Sequence, residues 1–166
     1  MTVATIVLIV ITCVAATIDV RTRRIPNLLT GAAAIAALAV HAPAGPVAVV
    51  TALAAMIAAF AVASLAFSAG WCGGGDVKLI AACCGFASFP GAIALLLDVL
   101  VAGAVLALVT AAARGRLVAL VHGTLALAAQ GARLEHVMLL PYGVAIAAGS
   151  AVYAVSTVVP SLRLPI

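Results

Sequence analysis

Two stretches of this chain place a carboxylate at the edge of a long apolar run, and its chemistry is expected there. The first is Gly73-Gly74-Gly75-Asp76-Val77-Lys78; the second is Ile18-Asp19-Val20-Arg21-Thr22-Arg23-Arg24-Ile25-Pro26-Asn27. Glycine lets backbone approach closely and adopts conformations closed to other residues, so Asp76 is held near main chain. An ionisable group at membrane depth is costly and is a functional candidate by default. Two acids brought together cannot both ionise easily, so one keeps a proton while the other can act as a base. Such a pair can activate water, attack a carbonyl and protonate the leaving amine. That is peptide hydrolysis, and it requires neither metal nor cofactor. Asp19 and Asp76 are expected to meet.

The rest of the composition says what must position them. Of 166 residues, 67% are hydrophobic and 7% charged, and the mean hydropathy is +1.41. A soluble domain carries about 25% charge, which excludes a soluble globule. Long unbroken Ala/Leu/Val/Ile runs indicate helices, whereas a β-barrel would alternate in polarity over short segments. At about 20 residues per crossing the chain has room for roughly six spans. The expected fold is an all-α, polytopic membrane helix bundle forming a single domain over 1–166. Eight cations against four acids give a net charge of +4, spread as topology signals, and no nucleic-acid partner is expected.

The first run, Thr2 to Ile18, lacks the basic residue that precedes a secretory signal; Arg21, Arg23 and Arg24 follow it instead. The positive-inside rule then puts the N-terminus outside and Asp19 at the cytoplasmic end. Pro26 suits the first turn of the next helix, and Asn27 can hydrogen-bond exposed backbone at its start. Leu28 to about Val40 crosses outward, His41 to Pro46 turns, and Val47 to Ala69 returns. Asp19 and Asp76 therefore face the same side. Val77 to Ser88 is a short span, broken from Ala92–Ala113 by Phe89-Pro90-Gly91. Leu117 to Gln130 is expected at the inner surface or re-entrant, and Val137 to Val159 exits. Seven of the eight cations then lie inside, with Arg163 opposed.

Cys13, Cys72, Cys83 and Cys84 form no Cys-x-x-Cys pair and are expected as small buried hydrophobes. His41, His122 and His136 are scattered without ligand spacing, so no metal site is expected. Lys78 lies two residues beyond Asp76, which turns the side chains apart on a helix; it is expected to anchor lipid headgroups more than to tune the acid. Trp71 reads as an interface anchor. Asp98 lies in Ala92–Ala113 towards its outer end, on the wrong side to join the other two acids, and is expected to make a structural contact.

Together these residues carry a resemblance. Gly73-Gly74-Gly75-Asp76-Val77-Lys78 resembles the Gly-x-Gly-Asp-x-Lys signature of type IV prepilin peptidases. Asp19 with Arg23-Arg24-Ile25-Pro26-Asn27 resembles that family's first aspartate motif. Leu140-Pro141-Tyr142-Gly143 and the residues to Gly149 resemble its late proline–aromatic–glycine motif. The compact branch serving tight-adherence (Flp-type) pili is the most similar. The resemblance implies an inner-membrane aspartic endopeptidase that removes the basic leader of prepilin or pseudopilin precursors at the cytoplasmic face. It implies Asp19 and Asp76 as the catalytic pair, with Gly73, Gly75, Lys78, Pro26, Asn27, Pro141, Tyr142 and Gly143 shaping the site and membrane lipid around it. Larger members carry a cytoplasmic segment with paired Cys-x-x-Cys and a methyltransferase activity; no such insertion is present here, which implies peptidase activity alone.

Each element also has a plainer origin. Asp19 among arginines can be a salt-bridged loop acid, the glycines a turn between helices, and Tyr142 an interfacial anchor. A different function, a small proton-coupled transporter or channel, would use Asp98 and Asp76 as intramembrane carboxylates and tolerate Asp19→Asn. A purely structural subunit would tolerate loss of either.

Overall fold

The computed structural model describes residues 2–70, 72–115 and 142–159. Six α-helices fill these residues: α1 (Val3–Thr22), α2 (Asn27–His41), α3 (Pro46–Ser68), α4 (Gly74–Ala87), α5 (Gly91–Ala113) and α6 (Tyr142–Val158), with a 3₁₀ turn at Ala42–Ala44. There is no strand among the described residues. The expected all-α membrane bundle is the observed fold, and most helix limits lie within one to three residues of those read from the sequence.

The start and stop signals are local. Thr2 caps α1, its hydroxyl accepting the Thr5 N–H at 3.3 Å. Pro46 occupies the first turn of α3 behind Gly45 at φ 99°, where the missing proline N–H is not needed. Pro26 does the same work one position earlier than expected: it is the residue before α2 rather than its first. The first run also extends past Ile18. α1 continues to Thr22 and ends on Arg23 in the left-handed region at φ 54°, whose N–H donates to the Asp19 carbonyl. Asp19 is thereby a helical residue and not a loop residue.

What faces inward is small. α1 buries Thr5, Leu8, Thr12, Ala15 and Asp19, a three-four alternation that makes one seam. α2 buries Thr30, Ala33 and Ala37, and α3 buries Ala52, Ala55, Ala59 and Ala63. The large side chains of α3, among them Val47, Val50, Ile57, Phe60 and Leu65, are exposed. This inverts the soluble pattern. In lipid the tails are as apolar as leucine, so helices associate through close van der Waals packing, and small residues let the backbones approach.

α4 is the hub. It packs on α1, α2, α3, α5 and α6, and every residue from Leu79 to Phe86 is buried. A helix apolar on all sides is one surrounded by protein, and α4 needs no crossing length of its own. α1, α2 with its 3₁₀ extension, α3 and α5 are long and apolar enough to cross a membrane, while α6 is a shorter apolar helix. The chain is an integral membrane protein. α6 lies against both α1 and α5, and residues 117–130, expected at the inner surface, fall outside the described residues.

The α5–α6 contact is glycine-mediated. A Cβ on Gly149 would lie 2.5 Å from the Val99 Cα and 2.6 Å from its N, and one on Gly91 would lie 2.5 Å from the Tyr153 Oη. The first obstacle is backbone and cannot step aside. Gly149→Ala should lower the thermal unfolding midpoint of the purified protein, by an overpacking cost of about 1–3 kcal/mol. Gly31→Ala, with nothing within 4 Å of the added carbon, should leave it unchanged or raise it.

Candidate active site

Asp19 comes to the site as the last member of the α1 seam, 6% exposed and turned into the bundle. Its Oδ2 accepts the backbone N–H of Gly143 at 2.8 Å, from a residue 124 positions away in the first turn of α6. A Cβ on Gly143 would stand 2.9 Å from the Asp19 Cβ and 3.0 Å from its Oδ2. The arginines of the stretch, Arg21, Arg23 and Arg24, are on the exposed side.

Asp76 comes from the opposite kind of helix end. It is the third residue of α4, and its Oδ2 accepts the N–H of Gly73, the residue before the helix, at 2.9 Å. This is the acidic half of a capping box, with a glycine that has no side chain to return the bond. Of the two properties expected of these glycines, close approach and unusual conformation, the structure uses the first at Gly75. Gly73 sits at φ −81°, ψ 156°, a conformation open to any residue, and the positive φ of this connection is at Gly70. Space is the requirement: a Cβ on Gly75 would come 3.1 Å from both the Cβ and the carbonyl O of Ile25. Gly75 lets α4 start directly against the segment that follows Asp19.

A second tie joins the same two segments. Lys78 Nζ donates to Asn27 Oδ1 at 2.8 Å, across 51 positions. Asn27 was expected to cap α2 and Lys78 to reach for lipid headgroups. Instead each supplies the other with a partner, because the close approach at Gly75 brings the first turns of α2 and α4 side by side. Neither acid is involved in that bond.

The two carboxylates lie close enough to feel each other. Burial pushes the Asp76 carboxyl up to about 6, the charge of Asp19 adds to the rise, and the Gly73 N–H opposes it. Asp76 is in the first turn of α4 and outside the four long spans. Each acid has one oxygen on a backbone N–H and keeps the other free of hydrogen bonds from the described residues. The Tyr142 phenol stands within electrostatic reach of Asp76 and Cys72, and its Oη lies 3.1 Å from where a Gly103 Cβ would be. The Cys72 thiol is pushed up by burial and by Asp76, the opposite of an activated thiolate. Cys83 and Cys84 are buried, as expected, whereas Cys13 is exposed.

Of the expected site residues, Gly73, Gly75, Asp76, Lys78, Asp19, Pro26, Asn27, Tyr142 and Gly143 gather at one end of the bundle. Pro141, Trp71, His122 and His136 are outside the described residues. Asp98 is apart: it lies seven residues into α5, roughly 10 Å along the helix from its start, and α5 starts at the end of the bundle opposite the two acids. Among the described residues no three His, Cys, Asp or Glu side chains gather as a metal site would require. A cleft of about 420 Å³ between α2, α3 and α4 is lined by Asn27, Gly31, Met56, Phe60 and Lys78; neither acid lines it. Gly103 is not among the residues the sequence singles out. A lone glycine inside an apolar span is the available signal for it; Ile25, part of the first aspartate motif, is the residue that Gly75 approaches.

An apolar bundle that brings two carboxylates from separate helices to one end defines a polytopic membrane protein. The model of the type IV leader peptidase family matches residues 6–108, a segment that takes in both acids and α2 to α4, and the chain belongs to that family. It is therefore a membrane-embedded peptidase, and prepilin-type precursors are the substrates that membership implies. No curated protein and no solved structure matches the chain.

Because the Asp19 charge helps to hold the Asp76 proton, Asp19→Asn should lower the Asp76 titration midpoint below about 6, towards the ordinary carboxyl value of 3.8. Burial remains in that variant, so the shift is partial. The infrared carbonyl band of protonated Asp76, followed against pH, checks it.

Proposed function

We propose that the chain is an aspartic endopeptidase of the Gly-x-Gly-Asp type that cuts the basic leader from prepilin or pseudopilin precursors, with Asp19 and Asp76 as its catalytic pair. The observation that carries this reading is the close approach at Gly75, which sets the first turn of α4, with Asp76, against the segment that follows Asp19, both acids lying inside the segment matched by the leader peptidase family. Membership supports the reaction class; the acid pair supports the way it is done.

In the proposed reaction Asp76 begins protonated and Asp19 ionised. The free oxygen of Asp19 takes a proton from water as the water oxygen bonds to the scissile carbonyl carbon. Asp76 donates its proton to the carbonyl oxygen, so the intermediate is a neutral gem-diol. As the C–N bond breaks, the new proton on Asp19 passes to the leaving nitrogen, and a diol proton returns to Asp76. Both acids end as they began, and one water has been consumed. Unequal environments divide the roles: one group must hold a proton near neutral pH and the other must accept one.

The membrane is proposed to be the bacterial inner membrane, with the N-terminus outside and the acids at the cytoplasmic face. Arg21, Arg23, Arg24 and Lys78 at the acid-bearing end support this orientation. The lack of any Cys-x-x-Cys pair in the sequence supports peptidase activity without methylation.

Co-expression with a candidate precursor tests the reading. Asp19→Asn and Asp76→Asn should each reduce cleavage by at least about 10³-fold, an effect in the range set by general acid–base groups acting as a unit. Product mass and membrane protein abundance are measured together; wild-type processing by either variant would remove the proposal. The pH dependence has a definite sign. Asp76 is useful only while protonated, so kcat/KM of the wild type should fall as pH rises through about 6, approaching tenfold per unit above it. A peptide assay from pH 5 to 8 at constant ionic strength reads it.

A further inference from the structure

We infer that the backbone amide of Gly143 is a positioning group for Asp19, fixing which carboxylate oxygen faces the substrate. The inference rests on the proposed role of Asp19 as the base. The carboxyl torsion of aspartate is broad and roughly two-fold, so the α1 seam alone leaves the two oxygens exchangeable. The Gly143 N–H at 2.8 Å from Oδ2 removes that freedom and leaves Oδ1 as the oxygen that receives a proton. A charged acceptor makes this the stronger class of hydrogen bond.

The donor is itself held still. Tyr142, next to it, packs its ring on Gly103 of α5, and further along α6 Gly149 meets the Val99 backbone while Tyr153 meets Gly91. The amide is thus aimed by the α5–α6 contact and not by a loop. Glycine is the residue that permits the aim, since any Cβ at 143 would meet the Asp19 Cβ and Oδ2 at about 3 Å. A further consequence concerns Asp76. Among the described residues, the groups facing it are Asp19 from α1, the Gly73 N–H and Cys72 thiol from the preceding connection, and the Tyr142 phenol from α6; Lys78, on its own helix, is engaged with Asn27. Of these, Asp19 is the one whose carboxylate the Gly143 amide holds.

The decisive probe is the full chain in lipid nanodiscs with Gly143 replaced by glycolic acid through nonsense suppression. This exchanges the N–H for an ester oxygen and adds no Cβ. The kcat for a precursor should fall about 10- to 100-fold, the range of one hydrogen bond to a charged group, with KM within about twofold of wild type. The Asp76 infrared midpoint should fall as well, because the Asp19 charge is no longer held in place; a merely structural role for Gly143 would not move it. Gly143→Ala should lose at least as much activity, and if it fails to accumulate the glycolate variant decides alone. A glycolate variant with kcat within twofold of wild type, or with an unmoved Asp76 midpoint, overturns the inference. Full activity in Asp19→Asn would instead remove the aspartyl reading beneath it.

Discussion

Close approach of helix backbones is the constraint on which this molecule depends. In hydrocarbon no hydrophobic gain separates a leucine packed on protein from a leucine packed on lipid, so the bundle is assembled by contact distance. Alanine lines the inner face of α3, threonine and alanine those of α1 and α2. Glycines 85, 91, 103, 143 and 149 stand where another helix leaves little or no room for a methyl group. Exclusion of side-chain volume from these seams draws α4 into the centre, and burial of α4 on all sides allows it to be only 14 residues long. A short central helix brings its first turn, and Asp76 with it, to the level where α1 ends.

The same seams explain how carboxylates are accommodated. Removing a charge from water costs several kcal/mol unless partners are supplied, and among the described residues the partners of both acids are backbone amides. Gly143 serves Asp19 and Gly73 serves Asp76. A backbone amide offers one donor in a direction set by the fold. It supports the carboxylate on one side and leaves the other side available. Lys78, the nearest cation in the sequence, is drawn off to Asn27 and fastens helices instead.

The class of fold was legible because composition and run length are properties of the whole chain, and the turns at Pro46 and at Phe89-Pro90-Gly91 are punctuated by residues with fixed conformational preferences. Same-sidedness of Asp19 and Asp76 followed from parity of crossings alone. What could not be read was the facing of individual residues. Helices apolar all round have no amphipathic period to reveal their inner stripe, and the α1 seam is visible only once packing shows that Thr5, Leu8, Thr12 and Ala15 continue into Asp19. The Lys78–Asn27 and Gly143–Asp19 bonds were hidden for the same reason: motif residues were identifiable, but their partners lie 51 and 124 positions away. Gly75 shows the remaining gap, since a glycine demanded by a neighbour's carbonyl looks in sequence like one demanded by a turn.

The two acids occupy opposite ends of their own helices, and this inequality has physical content. Asp76 lies in the first turn of α4, where the helix dipole favours negative charge, typically by about 0.3–1 kcal/mol. Asp19 lies in the last turn of α1, with its carboxylate held by the Gly143 N–H at the head of α6. The dipole of α4 alone would ease ionisation of Asp76. Its carboxyl is nevertheless pushed up to about 6, so burial and the neighbouring charge outweigh the helix that carries it. What raises the Asp76 carboxyl is the surroundings the bundle builds there, burial first. Surroundings built by packing in this way are sensitive to changes at glycines such as 75 and 143, where an added Cβ would press on Ile25 and on Asp19.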